Sequence, residues 1–89
     1  MLDFSFGNQF IKDLKMMKKR GKNLEKIYEI MIKIIWEEPL PEHCRIHKLH
    51  GNLEGFWDCH IEGDWLLLYQ LDEGVKINFV YTGTHSDLL

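Results

Sequence analysis

Apolar positions recur along the first third of the chain at two different periods. Leu2, Phe4 and Phe6 alternate with Asp3 and Ser5, the period of a strand, and Gly7 ends the run. From Phe10 the spacing lengthens. Phe10, Ile11, Leu14 and Met17 recur as one face of a helix, with Asn8 as its cap and Gly21 as its stop. A second helix is predicted from a cap at Asn23. Its wide stripe of Leu24, Ile27, Tyr28, Met31, Ile34 and Ile35 must close near Glu38, because Pro39 disfavours helical geometry in the residue before it. Met16, Met17 and Met31 read as gap-filling core or boundary residues. Pro39 opens an irregular connection that runs to about Asn52 and carries three of the five histidines.

Beyond it the pattern returns to strands. Phe56 to Ile61 and Trp65 to Leu71 are rich in aromatic and branched residues, and Glu62-Gly63-Asp64 between them has the composition of a turn, which predicts a β-hairpin. After a second turn at Asp72-Glu73-Gly74, a third strand runs from Val75 to Tyr81 with Val75, Ile77, Phe79 and Tyr81 on one side. The tail TGTHSDLL puts His85 just past this strand, and Leu88-Leu89 is expected to fold back on the sheet edge. Strand, two helices and a three-stranded run predict an α+β fold of two layers. The helices cover one face of an antiparallel sheet and the other face stays partly open.

With 89 residues, 45% of them hydrophobic, residues 1–89 form one small globular domain. No apolar run approaches the ~20 residues that span a bilayer, and the start MLDFSFGNQF lacks the basic and apolar segments of a signal peptide, so a cytoplasmic protein with no membrane partner is expected. Cys44 and Cys59 are too few for a disulfide scaffold. The net charge of −3 is distributed unevenly. Residues 1–33 carry eight basic and four acidic side chains, a net +4, whereas residues 34–89 carry three and ten, a net −7. That asymmetry allows a local polyanion-binding face on the first helix; a merely solvated lysine-rich face is the other reading.

Three kinds of chemistry compete for the histidines. Cys44, His47 and His50 at spacings of three, with Cys59-His60 further on, are zinc-ligand types, but no second closely spaced pair follows at a zinc-finger interval. Alternatively His47, His60 and His85, with Asp64 as partner, could move protons, since imidazole has an unperturbed pKa of about 6.5. Two histidines suffice to cleave RNA without metal: one removes the proton of a 2′-hydroxyl that attacks the adjacent phosphorus, the other protonates the departing 5′-oxygen. A purely structural role, with each ring merely hydrogen-bonded, remains open from spacing alone.

Three blocks taken together, HKLHG (47–51), GFWDCHIEGDWLLLY (55–69) and YTGTHSDLL (81–89), resemble the YafQ branch of the RelE/ParE superfamily of bacterial toxin–antitoxin systems. The resemblance covers nearly the whole chain and implies a RelE-like fold. It also implies a type II toxin that acts as a ribosome-dependent endoribonuclease on mRNA, restrained by a cognate antitoxin, monomeric when free and hetero-oligomeric when bound. By match, catalysis falls to His47, His60, Asp64 and His85, with Asp64 orienting a histidine or the nucleotide. Substrate contact falls to Trp65 and to the end of the tail, Leu89. No metal or other cofactor is implied. The basic first helix gains a role, with Lys12, Lys15, Lys18, Lys19 and Lys22 contacting ribosomal RNA phosphates. Glu54, Trp57 and Tyr81 stand where relatives often carry basic residues, and Leu89 where an aromatic one is common, which weakens the positive charge around the site. The alternative is a non-enzymatic binding module of the same fold, either a ParE-like gyrase inhibitor or an RNA-binding relative with a weakened site.

Overall fold

The alternating N-terminal run forms β1 (Asp3–Phe6), and the chain turns at Gly7 directly into α1 (Asn8–Lys19). The computed structural model describes all of residues 1–89. Gly7, not Asn8, is the N-cap of α1; Asn8 already lies in the first turn and no side chain caps it. The stop falls where expected. Gly21, with φ +87, lets Gly21 N–H reach the Lys18 carbonyl and Lys22 N–H the Met17 carbonyl, the paired bonds of a Schellman motif. Helix α2 (Leu24–Ile35) is capped by the Asn23 side chain, which accepts from the Glu25 amide. It ends three residues short of Glu38. The same Schellman bonds form from Glu37 and Glu38, with Glu37 in the left-handed region at φ +56, so the helix closes before proline becomes the limit.

The connection predicted as irregular holds two short 3₁₀ turns, Glu42–Cys44 and Gly51–Leu53, and between them a strand, β2 (His47–Lys48). The hairpin follows as β3 (Trp57–Glu62) and β4 (Trp65–Asp72), then β5 (Lys76–Thr84) and a single helical turn, α3 (His85–Leu88). All five strands form one sheet in the order β1-β5-β4-β3-β2. Every pairing is antiparallel except β1 with β5, which is parallel, so the sheet is mixed. The α+β architecture with both long helices on one face is as the sequence predicts.

The core lies between that face and the helices: Phe10 and Met17 of α1 and Ile27, Ile30, Met31, Ile34 and Ile35 of α2 pack on Cys59, Ile61, Trp65, Leu67, Tyr69, Ile77 and Phe79. One expectation fails here. Val75, Ile77, Phe79 and Tyr81 do not share a side, because the register with β4 shifts at Val80: Phe79 pairs with Tyr69, but Tyr81 pairs with Leu68. This bulge turns Tyr81 and Gly83 to the face away from the helices and brings Thr82 into the core layer. Where β1 no longer flanks β5, the Thr82 amide instead donates to the Asp13 carboxylate on α1 at 3.1 Å.

Candidate active site

Two cross-strand rows build the face opposite the helices. Leu66 lies between His60 and Gly83, and Leu68 between Asp58 and Tyr81, with His47 of β2 completing the second row beside Asp58. Leu66 and Leu68 are fully buried, an apolar floor under polar neighbours. Asp58 and His60 share this face because they are two residues apart on one strand, and β2 supplies His47 because its pairing sets His47 opposite Asp58.

His60 neighbours both other imidazoles: ring centroids of His47 and His60 are 6.4 Å apart, those of His60 and His85 5.6 Å. His85 comes from α3, which a capping box anchors. The Thr84 hydroxyl accepts from the Asp87 amide, and the Asp87 carboxylate accepts from the Thr84 amide at 2.8 Å. Asp87 also takes both ends of the Arg20 guanidinium, at 2.6 and 3.2 Å, which ties α3 to the end of α1. That pairing, then the Thr84 amide, holds the Asp87 carboxyl well below the usual range. A Cβ on Gly83 would lie 3.0 Å from both Cβ and Oδ2 of Asp87, so a larger residue here would press the turn a few tenths of an ångström off β5. Arg20→Ala should therefore speed amide hydrogen exchange across residues 85–89, measured by NMR, while the melting midpoint hardly moves, because an exposed ion pair adds little global stability.

Two of the three histidines have distinct anchors. His85 Nδ1 contacts Asp64 Oδ1, which also accepts from the His85 amide at 3.2 Å; these bonds hold the Asp64 carboxyl below its ordinary value. Gly63, at φ +50, makes the turn that presents Asp64. His47 Nδ1 donates to the Arg45 carbonyl at 2.9 Å, and its Nε2 lies 3.4 Å from Asp58 Oδ2. Arg45 itself has φ +43, an uncommon conformation for a side-chain-bearing residue, and it turns that carbonyl toward the ring. Burial raises the Asp58 carboxyl above its usual range, against the opposing pull of His60, His47 and His85.

A profile of the family described as a bacterial toxin of type II toxin–antitoxin system, YafQ, matches residues 2–89. The chain belongs to the YafQ toxin family. It is 37% identical over 87 residues to the mRNA interferase toxin YafQ of Escherichia coli K12, covering 97% of this chain and 94% of that one. The crystal structure of YafQ from E. coli BL21(DE3) superposes with a TM-score of 0.92 at 34% identity, covering 100% and 99% of the two chains. YafQ in the crystal structure of the E. coli DinJ-YafQ toxin-antitoxin complex gives 0.89 at 36% identity, covering 99% and 97%.

Against the residues that YafQ resemblance implies, the structure brings His47, His60, Asp64 and His85 together on one face. Trp65 requires a correction: it is fully buried on the helix side of the sheet, its indole N–H donating to the Thr82 hydroxyl at 2.8 Å, so neither ring face is available to a base. Aromatic surface on the site's own face comes instead from Phe56 and Tyr81, half-buried and 5.7 Å apart. Leu89 is 58% exposed at the end of the tail; the tail itself is the α3 turn, which packs on the end of β5 beyond its pairing with β1, with Leu88 half-buried beside Tyr81 and Thr82. Cys44 sits in the core while His47 lies on the open face, so the zinc-type spacing does not converge. Of the lysines, Lys12 lines a cleft of about 500 Å³ between α1, Leu53, Tyr81 and α3; Lys15, Lys18 and Lys19 are exposed, and Lys22 is half-buried near Glu62. Lys48 holds its ammonium 5.1 Å over the Trp57 ring. Two contributors escaped the sequence reading. Asp58 had a signal in its strand alternation with His60, whereas the pairing of Arg20 with Asp87, 67 residues away, had none.

Proposed function

We propose that this chain, an endoribonuclease by family, cuts mRNA in the ribosomal decoding site by proton transfer among His47, His60 and His85, with no metal taking part. What carries this reading is the group of three imidazoles on one face, His60 within 6.4 Å of His47 and 5.6 Å of His85, a spacing at which a scissile phosphate could meet two of them at once. One ring takes the proton of the 2′-hydroxyl as that oxygen bonds to phosphorus. The bond from phosphorus to the 5′-oxygen breaks, and a second ring protonates the leaving oxygen, which gives a 2′,3′-cyclic phosphate and a 5′-hydroxyl end. Asp64 fixes His85 with its Nδ1 hydrogen toward the carboxylate, so Nε2 is the nitrogen left for substrate. Phe56 and Tyr81 offer a base an aromatic surface, and Leu89 bounds the site at the tail. Lys12, Lys15, Lys18, Lys19 and Lys22 contact ribosomal RNA phosphates and position the enzyme without reading sequence.

The relative crystallised with DinJ supports a cognate antitoxin as the partner; on this reading the chain is monomeric when free and hetero-oligomeric with its antitoxin. No helix is long and apolar enough to cross a membrane. Translating ribosomes incubated with the protein, followed by mapping of the new mRNA ends, test the reading. Discrete cuts that disappear with His85→Ala protein are expected. An intact message, or equal cutting by the variant, would overturn it.

A further inference from the structure

Asp58 is a buried charge without an adequate partner. Its side chain is 2% exposed, Oδ1 has no hydrogen-bond partner, and Oδ2 has only His47 Nε2 at 3.4 Å. Two residues on and on the same face, His60 Nδ1 is also buried and unpartnered. A lone carboxylate in such a place opposes folding, and the apolar core lies on the other side of the sheet, so packing gives no reason for it.

His47 supplies the reason. The Arg45 carbonyl can only accept, so His47 Nδ1 must carry a hydrogen. A neutral ring would then aim the lone pair of Nε2 at Asp58 Oδ2, acceptor against acceptor. The approach is favourable only with a proton between the two, on the ring or on the carboxyl.

We propose that Asp58 is a positioning residue for the cleavage described above: it shares a proton with His47 and, from beneath, sets the ring orientation and tautomer of His47. The inference rests on that cleavage reading. Asp58 would do for His47 from inside what Asp64 does for His85 from the surface. The two carboxylates differ in their titration. Asp64 is exposed and held low by His85, whereas burial raises Asp58 above its usual range. The groups facing Asp58 are His47 from β2, His60 from its own strand and His85 from α3. From the rest of the sheet, Leu68 separates it from Tyr81, and Cys59 lies on the other face.

Asp58→Asn keeps the shape and removes the charge. The single-turnover cleavage rate on ribosomes should fall by roughly 10–100-fold with little change in KM, as for other partners that orient a histidine, and the acidic limb of the pH–rate profile should shift. In the free protein, the ¹⁵N signals of the His47 ring nitrogens should change while those of His85 keep theirs. Activity within two-fold of the parent with unchanged ring-nitrogen signals would overturn the assignment. A measurement on the unaltered protein does not depend on the variant folding: the Asp58 ¹³Cγ and His47 ¹⁵N signals should move together with pH, and independent titration would overturn the shared proton. If the unaltered protein fails to cut on ribosomes, the cleavage reading falls, while these signals still decide the role of Asp58.

Discussion

Trp65→Ala is expected to cost about 3–5 kcal/mol of folding stability, the usual penalty for emptying a fully buried aromatic site. In a small domain that is a large share of the total, so much of the protein should be unfolded at 37 °C. The reason is the position of the ring. It is fully buried against the helix layer, and its N–H bonds the Thr82 hydroxyl, which in turn donates to the Leu66 carbonyl at 2.6 Å. Trp65→Phe keeps most of the volume and loses that N–H, so it should cost only about 1–2 kcal/mol. Urea denaturation of both variants, with cleavage normalised to the folded fraction, separates two roles for this residue. A core anchor predicts near-normal activity per folded molecule in both. A ring that stacks on RNA predicts a stable alanine variant that does not cut.

The same residue shows where the sequence was legible and where it was not. Aromatic and branched runs placed both hairpin strands within a residue of their ends, and the spacing of Phe10, Leu14 and Met17 gave α1, because these signals are local. Side-chain direction in the sheet is less local. The register shift at Val80 depends on how β4 and β5 pair, so Tyr81 could not be assigned to the open face from the alternation of its own strand. Strand β2 has two residues and no apolar pattern of its own; it exists because His47 and Lys48 meet Asp58 and Trp57. The site was legible as a set of types, three histidines and a carboxylate. Its geometry was not, because it rests on a pairing across the sheet edge and on the contact of α1 with α3 through Arg20 and Asp87. The signal missed at Thr84 was local. A threonine followed three residues later by Asp87 resembles a capping box, and it marks the helical turn that carries His85.

His85→Ala and Asp64→Asn are expected to differ in size and to combine without adding. Loss of an imidazole that moves a proton in the transition state should slow single-turnover cleavage by about 10²–10⁴-fold. Asp64→Asn leaves the ring in place and removes only the carboxylate that orients it, so the loss should be smaller, on the order of ten-fold. With His85 absent, Asp64 has no ring left to orient, and the double variant should be no slower than His85→Ala alone. If the two losses multiply, Asp64 acts on the nucleotide directly. The sequence resemblance leaves both roles for Asp64 open; the double contact of its Oδ1 with the ring and the amide of His85 favours the first. The carboxyl is held below its ordinary value, so the dyad contributes stability above about pH 4 and loses it only as acid titrates Asp64 below that. Across pH 5–8 the carboxylate stays ionised, so changes in the parent's cleavage rate there do not come from Asp64.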